Sequence, residues 1–178
     1  MIIKSATQVG NPIIRKKSKK VVDVRSPQNK KIIKDLVESM RHHNLVGMAA
    51  PQIGANVRIF VTEIRETKLR KTDKKSDVDG LRVFVNPKIT FSSDKIVSGW
   101  EGCGSVAESS LFAKVSRPES LVVQAFDSNG DKFTLEAKGL LARVIQHEID
   151  HIEGIVFIDK ADTKTCMSRN EYLKMQTK

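Results

Sequence analysis

The chain has 178 residues and a net charge of +10, with 39% hydrophobic and 29% charged residues. That length supports one domain over 1–178 with its own core, and that balance excludes a disordered chain. Two cysteines exclude a disulfide-built scaffold, and no apolar run approaches the ~20 residues of a membrane helix. Met1–Val9 is short, mixed and followed by charge, unlike a signal peptide. The expectation is a soluble protein of a reducing compartment.

In chain order, the first feature is charge. Arg15–Lys34 carries nine basic residues against Asp23 alone, a net of +8. Such a segment attracts phosphate backbones or simply forms a solvated face, and no aromatic residues interleave for base stacking. Ser26-Pro27 reads as an N-cap and first helical residue. Ile32, Ile33, Leu36, Val37 and Met40 then recur at helical spacing, which predicts a helix to about His43. His42 and His43 suit the helix dipole there and need no catalytic role.

Gly47–Gly54, with small residues and a proline, reads as a loop. Arg58–Ile64 and Leu81–Val85 read as strands joined by a polar hairpin tip over Lys68–Gly80. Ile89–Phe91 and Ile96–Trp100 suggest further short strands. Leu121–Phe126 and Lys132–Leu135 flank Asn129-Gly130, a strong hairpin signal. A last helix is predicted from about Lys138 to Ile152, with Gly154 at its C-terminal cap. Strands in the middle and helices towards both ends argue for an α+β fold, a mainly antiparallel sheet packed around the C-terminal helix.

That helix carries His147-Glu148-Ile149-Asp150-His151, an H-E-x-x-H pattern. Positions i and i+4 lie about 40° apart around a helix, so both imidazoles face one way and can share a metal ion. Glu148 falls beside that face as a proton acceptor. A third ligand is needed, and no histidine follows Gly154. Glu153, Asp159, Asp162 and Glu171 leave a carboxylate ligand open. Cys103, between Gly102 and Gly104, is the preferred candidate, because a thiolate suits zinc or ferrous iron. Cys166 lies in the polar tail and reads as inert.

Three ordered motifs carry a resemblance. Gly47-Met48-Ala49-Ala50-Pro51-Gln52, Glu101-Gly102-Cys103-Gly104-Ser105, and Gln146–His151 followed by Gly154 resemble the three motifs of the peptide deformylases. The resemblance extends over nearly all of Ile2–Lys160. It implies the peptide deformylase fold and hydrolytic removal of the formyl group from N-formylmethionyl peptides, with release of formate. It implies one divalent metal ion, ferrous iron in the native family and often zinc, nickel or cobalt, held by Cys103, His147 and His151. Glu148 would be the general acid/base. The Gln52 side chain and the Gly104 N–H would polarise the formyl oxygen. Gly47 would offer backbone hydrogen bonds to the substrate, and Val46, Trp100, Leu140, Val144 and the His147 ring would surround the methionine side chain. Read without the resemblance, Trp100 fits a core position equally well.

Departures from the pattern are local. The second motif normally has leucine where this chain has Gly104, which removes an apolar wall and some rigidity. Ser105-Val106-Ala107 is similar to the mitochondrial branch, and Leu45 stands where the first motif commonly begins with glycine. The basic C-terminal helix of many bacterial members is shortened, leaving 161–178 as a short tail or helix. Two rival readings are a zincin-like peptidase with its third ligand after the helix, and a non-enzymatic paralogue that binds RNA or the ribosome. The expected partners are formylmethionyl peptides and, through the basic segment, the ribosome, with no DNA and no membrane. The expected compartment is a bacterial cytoplasm, or an organelle matrix after removal of a transit peptide.

Overall fold

The structure, a computed structural model, describes residues 2–68, 70 and 78–176. Among the described residues, eight strands form two sheets. They are β1 (Gly47–Ala49), β2 (Ile59–Ile64), β3 (Asp79–Ser92), β4 (Ile96–Gly102), β5 (Leu111–Pro118), β6 (Ser120–Phe126), β7 (Lys132–Lys138) and β8 (Ala161–Ser168). One sheet has the order β1-β2-β3-β6-β7 and the other β4-β5-β8, with every pairing antiparallel. Three helices complete the α+β fold: α1 (Pro27–His42), α2 (Gly139–Glu153) and α3 (Arg169–Gln176).

α1 starts where its cap residues dictate. Ser26 Oγ accepts the Asn29 N–H at 3.3 Å, and Pro27 opens the first turn. Its buried face, Leu36, Val37 and Met40, packs on Met48, Ile59, Val61 and Val85. The next residues along the same strands point the other way, as the period of two requires. Phe60 and Phe84 stack at 4.5 Å and join Leu121, Val123, Ala142, Ile145 and Ile152. The five-stranded sheet is therefore covered by α1 on one face and α2 on the other. Each fully buried Phe or Ile in these layers contributes about 1.5–3 kcal/mol.

α2 is held between the two sheets, touching β1, β2, β6 and β7 on one side and β5 on the other. It ends at Gly154, which has φ 81°, the left-handed C-cap conformation. A Cβ there would also lie 2.6 Å from the Arg15 carbonyl oxygen, so the incoming N-terminal segment passes directly over this cap.

Several expectations need correction. Gly47–Ala49 is not loop but the buried edge strand β1, paired Met48 to Val61, and the 3₁₀ turn Ala50–Ile53 follows it. Three fully buried residues are too few to show a strand period. Leu81–Val85 and Ile89–Phe91 belong to one long strand, β3. Asn86 bends it at φ 52° and clamps Val21, accepting its N–H at 2.9 Å and donating to its C=O at 2.8 Å. Residues 69 and 71–77 of the expected hairpin tip lie outside the described residues, while β2 and β3 pair as the hairpin requires. β5 and β8 were not anticipated. Lys114 and Arg117 mask the alternation of β5, and β8 is a largely polar edge strand that holds the exposed Cys166.

Candidate active site

α2 presents His147 and His151 towards Cys103, which leaves the end of β4. Cys103 Sγ lies 3.2 Å from His151 Nε2, and the three residues bring one donor atom each within 4.8 Å of one another. Cys103 and His151 are buried and His147 nearly so. Burial alone would push the thiol up, but His151 and His147 outweigh it and hold Cys103 well below its ordinary value. A thiolate and two imidazoles form a donor set that suits zinc or ferrous iron. His151 Nδ1 and Glu148 Oε2 are buried with no hydrogen-bond partner among the described residues. One thiol and two imidazoles converging in a buried cluster fit a bound divalent cation.

The open carboxylate alternatives are engaged elsewhere. Glu153 pairs with Lys17 and Arg58, Asp159 pairs with Arg15, and Glu171 pairs with Lys174. Asp162 Oδ1 accepts the Lys164 N–H on the exposed strand β8. Among the described residues, Cys103 joins the two histidines and none of these carboxylates does.

Glu148 follows His147 on α2 and is buried beside β1. Burial pushes its carboxyl up to about 7, against the pull of the neighbouring imidazoles. A base poised near neutrality can both take and return a proton. Gly47 makes room for it: a Cβ at 47 would lie 2.5 Å from Glu148 Oε1 and 2.8 Å from Val144 Cγ1. Gln52 is held in the 3₁₀ turn after β1. Its Oε1 accepts the Ala49 N–H at 2.8 Å, and its Nε2 donates to Ser105 Oγ at 3.3 Å and weakly to Cys103 Sγ at 3.7 Å. One NH₂ group therefore points along the Cys103–Ser105 segment, beside Gly104.

A pocket of about 370 Å³ opens over this cluster. Val46, Gly47, Trp100, Leu140 and Val144 all line it, together with Gln52, Cys103, Gly104, His147 and Glu148.

Sequence reasoning gave no role to five residues that the fold brings here: Glu101, Arg117, Arg143, Tyr172 and Leu45. Glu101 Oε2 accepts the His147 Nδ1–H at 3.0 Å. Arg117 grips the same carboxylate with two bonds of 2.6 and 2.9 Å, and Arg143 adds one of 2.7 Å. Burial alone would raise Glu101, but Arg117 and His147 outweigh it and hold the carboxyl well below the usual carboxylate range. An acid two residues before a candidate ligand was the available signal. Tyr172 of α3 also lines the pocket, stacked on Phe112 at 4.1 Å and edge-on to Trp100 at 6.0 Å. A short polar helix gave no sign of that position. Leu45, in the chain just before β1, lines the pocket too.

Known proteins similar to this chain share one family. The polypeptide deformylase family model matches residues 3–166. The peptide deformylase of Dictyoglomus turgidum is 35% identical over 170 residues, 96% of this chain and 100% of that protein. The mitochondrial peptide deformylase of Homo sapiens is 34% identical, over 89% of this chain and 68% of that protein. The structure of peptide deformylase from Ehrlichia chaffeensis in complex with actinonin superposes with a TM-score of 0.81 at 31% identity, covering 99% of this chain and 96% of that one. The Met-Ala-Ser-bound class I type b peptide deformylase from Acinetobacter baumannii gives 0.79 at 27% identity, over 89% and 99%. This chain belongs to the polypeptide deformylase family.

Proposed function

We propose that the protein hydrolyses the N-formyl group of formylmethionyl peptides and releases formate. The observation that carries this reading is the convergence of Cys103, His147 and His151 beside a buried carboxyl, Glu148, at the base of one pocket. A divalent ion held by Cys103 Sγ and the two imidazoles would supply Lewis-acid chemistry, making water more acidic and the formyl carbonyl more electrophilic. Ferrous iron is our choice for the native ion, with zinc, nickel and cobalt as substitutes.

The protein's own groups do the rest. Val46, Trp100, Leu140 and Val144 take the methionine side chain, and the Gly47 backbone aligns the peptide. Glu148 removes a proton from water, and the resulting hydroxide adds to the formyl carbon. Negative charge grows on the formyl oxygen, where Gln52 Nε2 and the Gly104 N–H donate hydrogen bonds. Glu148 then delivers its proton to the amine nitrogen as the C–N bond breaks. Formate and a free methionyl N-terminus leave. The Cys103→Ala protein tests the ligand set: it should lose bound metal and formate release together.

The basic segment supports a finer reading, docking to ribosomal RNA. Lys16, Lys19, Lys20, Lys30 and Lys34 make no ion pair among the described residues, whereas Arg15, Lys17 and Lys31 do. Changing Lys16, Lys19 and Lys20 to glutamine should weaken ribosome co-sedimentation, most at low salt, and leave turnover of a free peptide unchanged. Among the described residues no helix is long and apolar enough to cross a membrane. With bacterial and mitochondrial relatives, our reading places the protein in a bacterial cytoplasm or an organelle matrix.

A further inference from the structure

We propose that Leu45 is a positioning residue of this reaction: its side chain, in place of one at position 104, forms the apolar wall beside the Gly104 N–H. The proposal rests on the function given above. A Cβ built on Gly104 would lie 3.1 Å from Leu45 Cδ1, 3.4 Å from Ala6 Cβ and 4.0 Å from Gln52 Nε2. The volume that a side chain at 104 would enter is therefore already in contact with Leu45. Backbone conformation is not the reason for glycine here, because Gly104 is not among the glycines of positive φ. The two departures noted in the first and second motifs thus meet in space. A large residue stands at 45 where small is usual, and a small one at 104 where large is usual.

Leu45 is well placed for this work. Its N–H donates to the Met40 C=O at 3.0 Å, and its C=O accepts from Arg65 Nη2 at 3.1 Å. Asn44 before it turns the chain at φ 58°. Gly104 is buried, and its C=O accepts from Gln8 Nε2 at 2.8 Å. Its N–H has no hydrogen-bond partner among the described residues. Both residues line the pocket. An unpaired donor beside an apolar side chain is kept from water, and a donor in a dry site stabilises developing charge far better than one in water.

The test is a cycle of four proteins: parent, Leu45→Ala, Gly104→Leu, and both changes together. Each is assayed with formyl-Met-Ala-Ser in the ferrous form under argon, and each is melted by circular dichroism. Leu45→Ala should lower kcat by about tenfold while KM stays within about threefold, because the lost contact acts on the transition state. Gly104→Leu alone should also lower kcat, since its Cβ, 3.1 Å from Leu45 Cδ1, makes that side chain give way. In the double variant the loss should be smaller than the product of the two single losses by about tenfold. Amide hydrogen exchange at Gly104, followed by NMR, reads the shielding without turnover. It should be about tenfold faster in Leu45→Ala than in the parent and slow again in the double variant. If Leu45→Ala does not fold, Leu45→Val should show smaller changes of the same sign. Independent, multiplying effects on kcat, or unchanged exchange at Gly104, would overturn the proposal. A folded, metal-loaded parent that releases no formate would defeat the function instead, and the exchange result would still decide the role of Leu45.

Discussion

Glu101 Oε2 accepts the Nδ1–H of His147 at 3.0 Å, so a carboxylate that can only accept decides which imidazole nitrogen carries the proton. Nε2 is then the ring nitrogen turned to Cys103 and His151, where it would hold the metal ion. Arg117 and Arg143 hold Glu101 in place, which fixes the ring plane as well as the tautomer. Glu101→Gln should therefore lower zinc affinity by about 10–100-fold. Competition with a chromophoric chelator measures it, and an unchanged affinity would leave Glu101 with a packing role only.

Glu148 is proposed as proton carrier and not as ligand. Glu148→Gln should keep stoichiometric metal and lose about 10²–10⁴-fold in kcat. Metal analysis and formate release on the same sample separate the two properties. Loss of the metal along with activity would move Glu148 into the ligand set.

Gly47 presses on the same carboxylate. The Cβ of Gly47→Ala would approach Glu148 Oε1 to 2.5 Å and Val144 Cγ1 to 2.8 Å, so the base or the strand must shift. A displacement of about 1 Å can cost about 10²-fold in rate. That loss should appear in kcat with the metal retained. A fully active Gly47→Ala protein would show that Glu148 has room to spare.

Arg117 links the site to stability. It binds Glu101 and, at 2.8 Å, Asp150, and all three are buried. Glu101 is held below its ordinary value, so the unfolded chain binds the proton more tightly. Its contribution is complete above the unfolded value of about 4.3 and is lost as pH falls below that, through the lowered native value. Arg117→Leu leaves two buried carboxylates short of a cation and should cost about 3–5 kcal/mol at pH 7. The difference from the parent should narrow in acid, as protonation removes the charge that Arg117 balances. Urea unfolding at pH 7 and pH 4 measures it, and a constant difference would contradict this account.

What the sequence revealed was what is local in the chain. α1 is bounded by Ser26 and His42, α2 ends at Gly154, and Gly130 turns the β6–β7 hairpin at φ 82°. Each of these signals sits within a few residues. The pair His147 and His151 with Glu148 was equally local, because four residues make one helical turn. Contacts between distant segments left no such trace. Glu101 reaches His147 across 46 positions, and Leu45 meets the space beside Gly104 only once the segments before β1 and after β4 come together. Strand β5 was hidden because Arg117, a cation, occupies an inward position that normally carries an apolar residue. Its partners Glu101 and Asp150 make that position tolerable, and both lie in other elements. Tyr172 reaches the pocket only through the pairing of β5 with β8.

The most direct measurement is formate release from formyl-Met-Ala-Ser by the purified chain loaded with ferrous iron under argon, run beside Cys103→Ala. The account predicts one formate and one free methionyl amine per peptide from the parent, and no metal-dependent release from the variant. A folded, metal-loaded parent that releases no formate, or a Cys103→Ala protein as active as the parent, would contradict it.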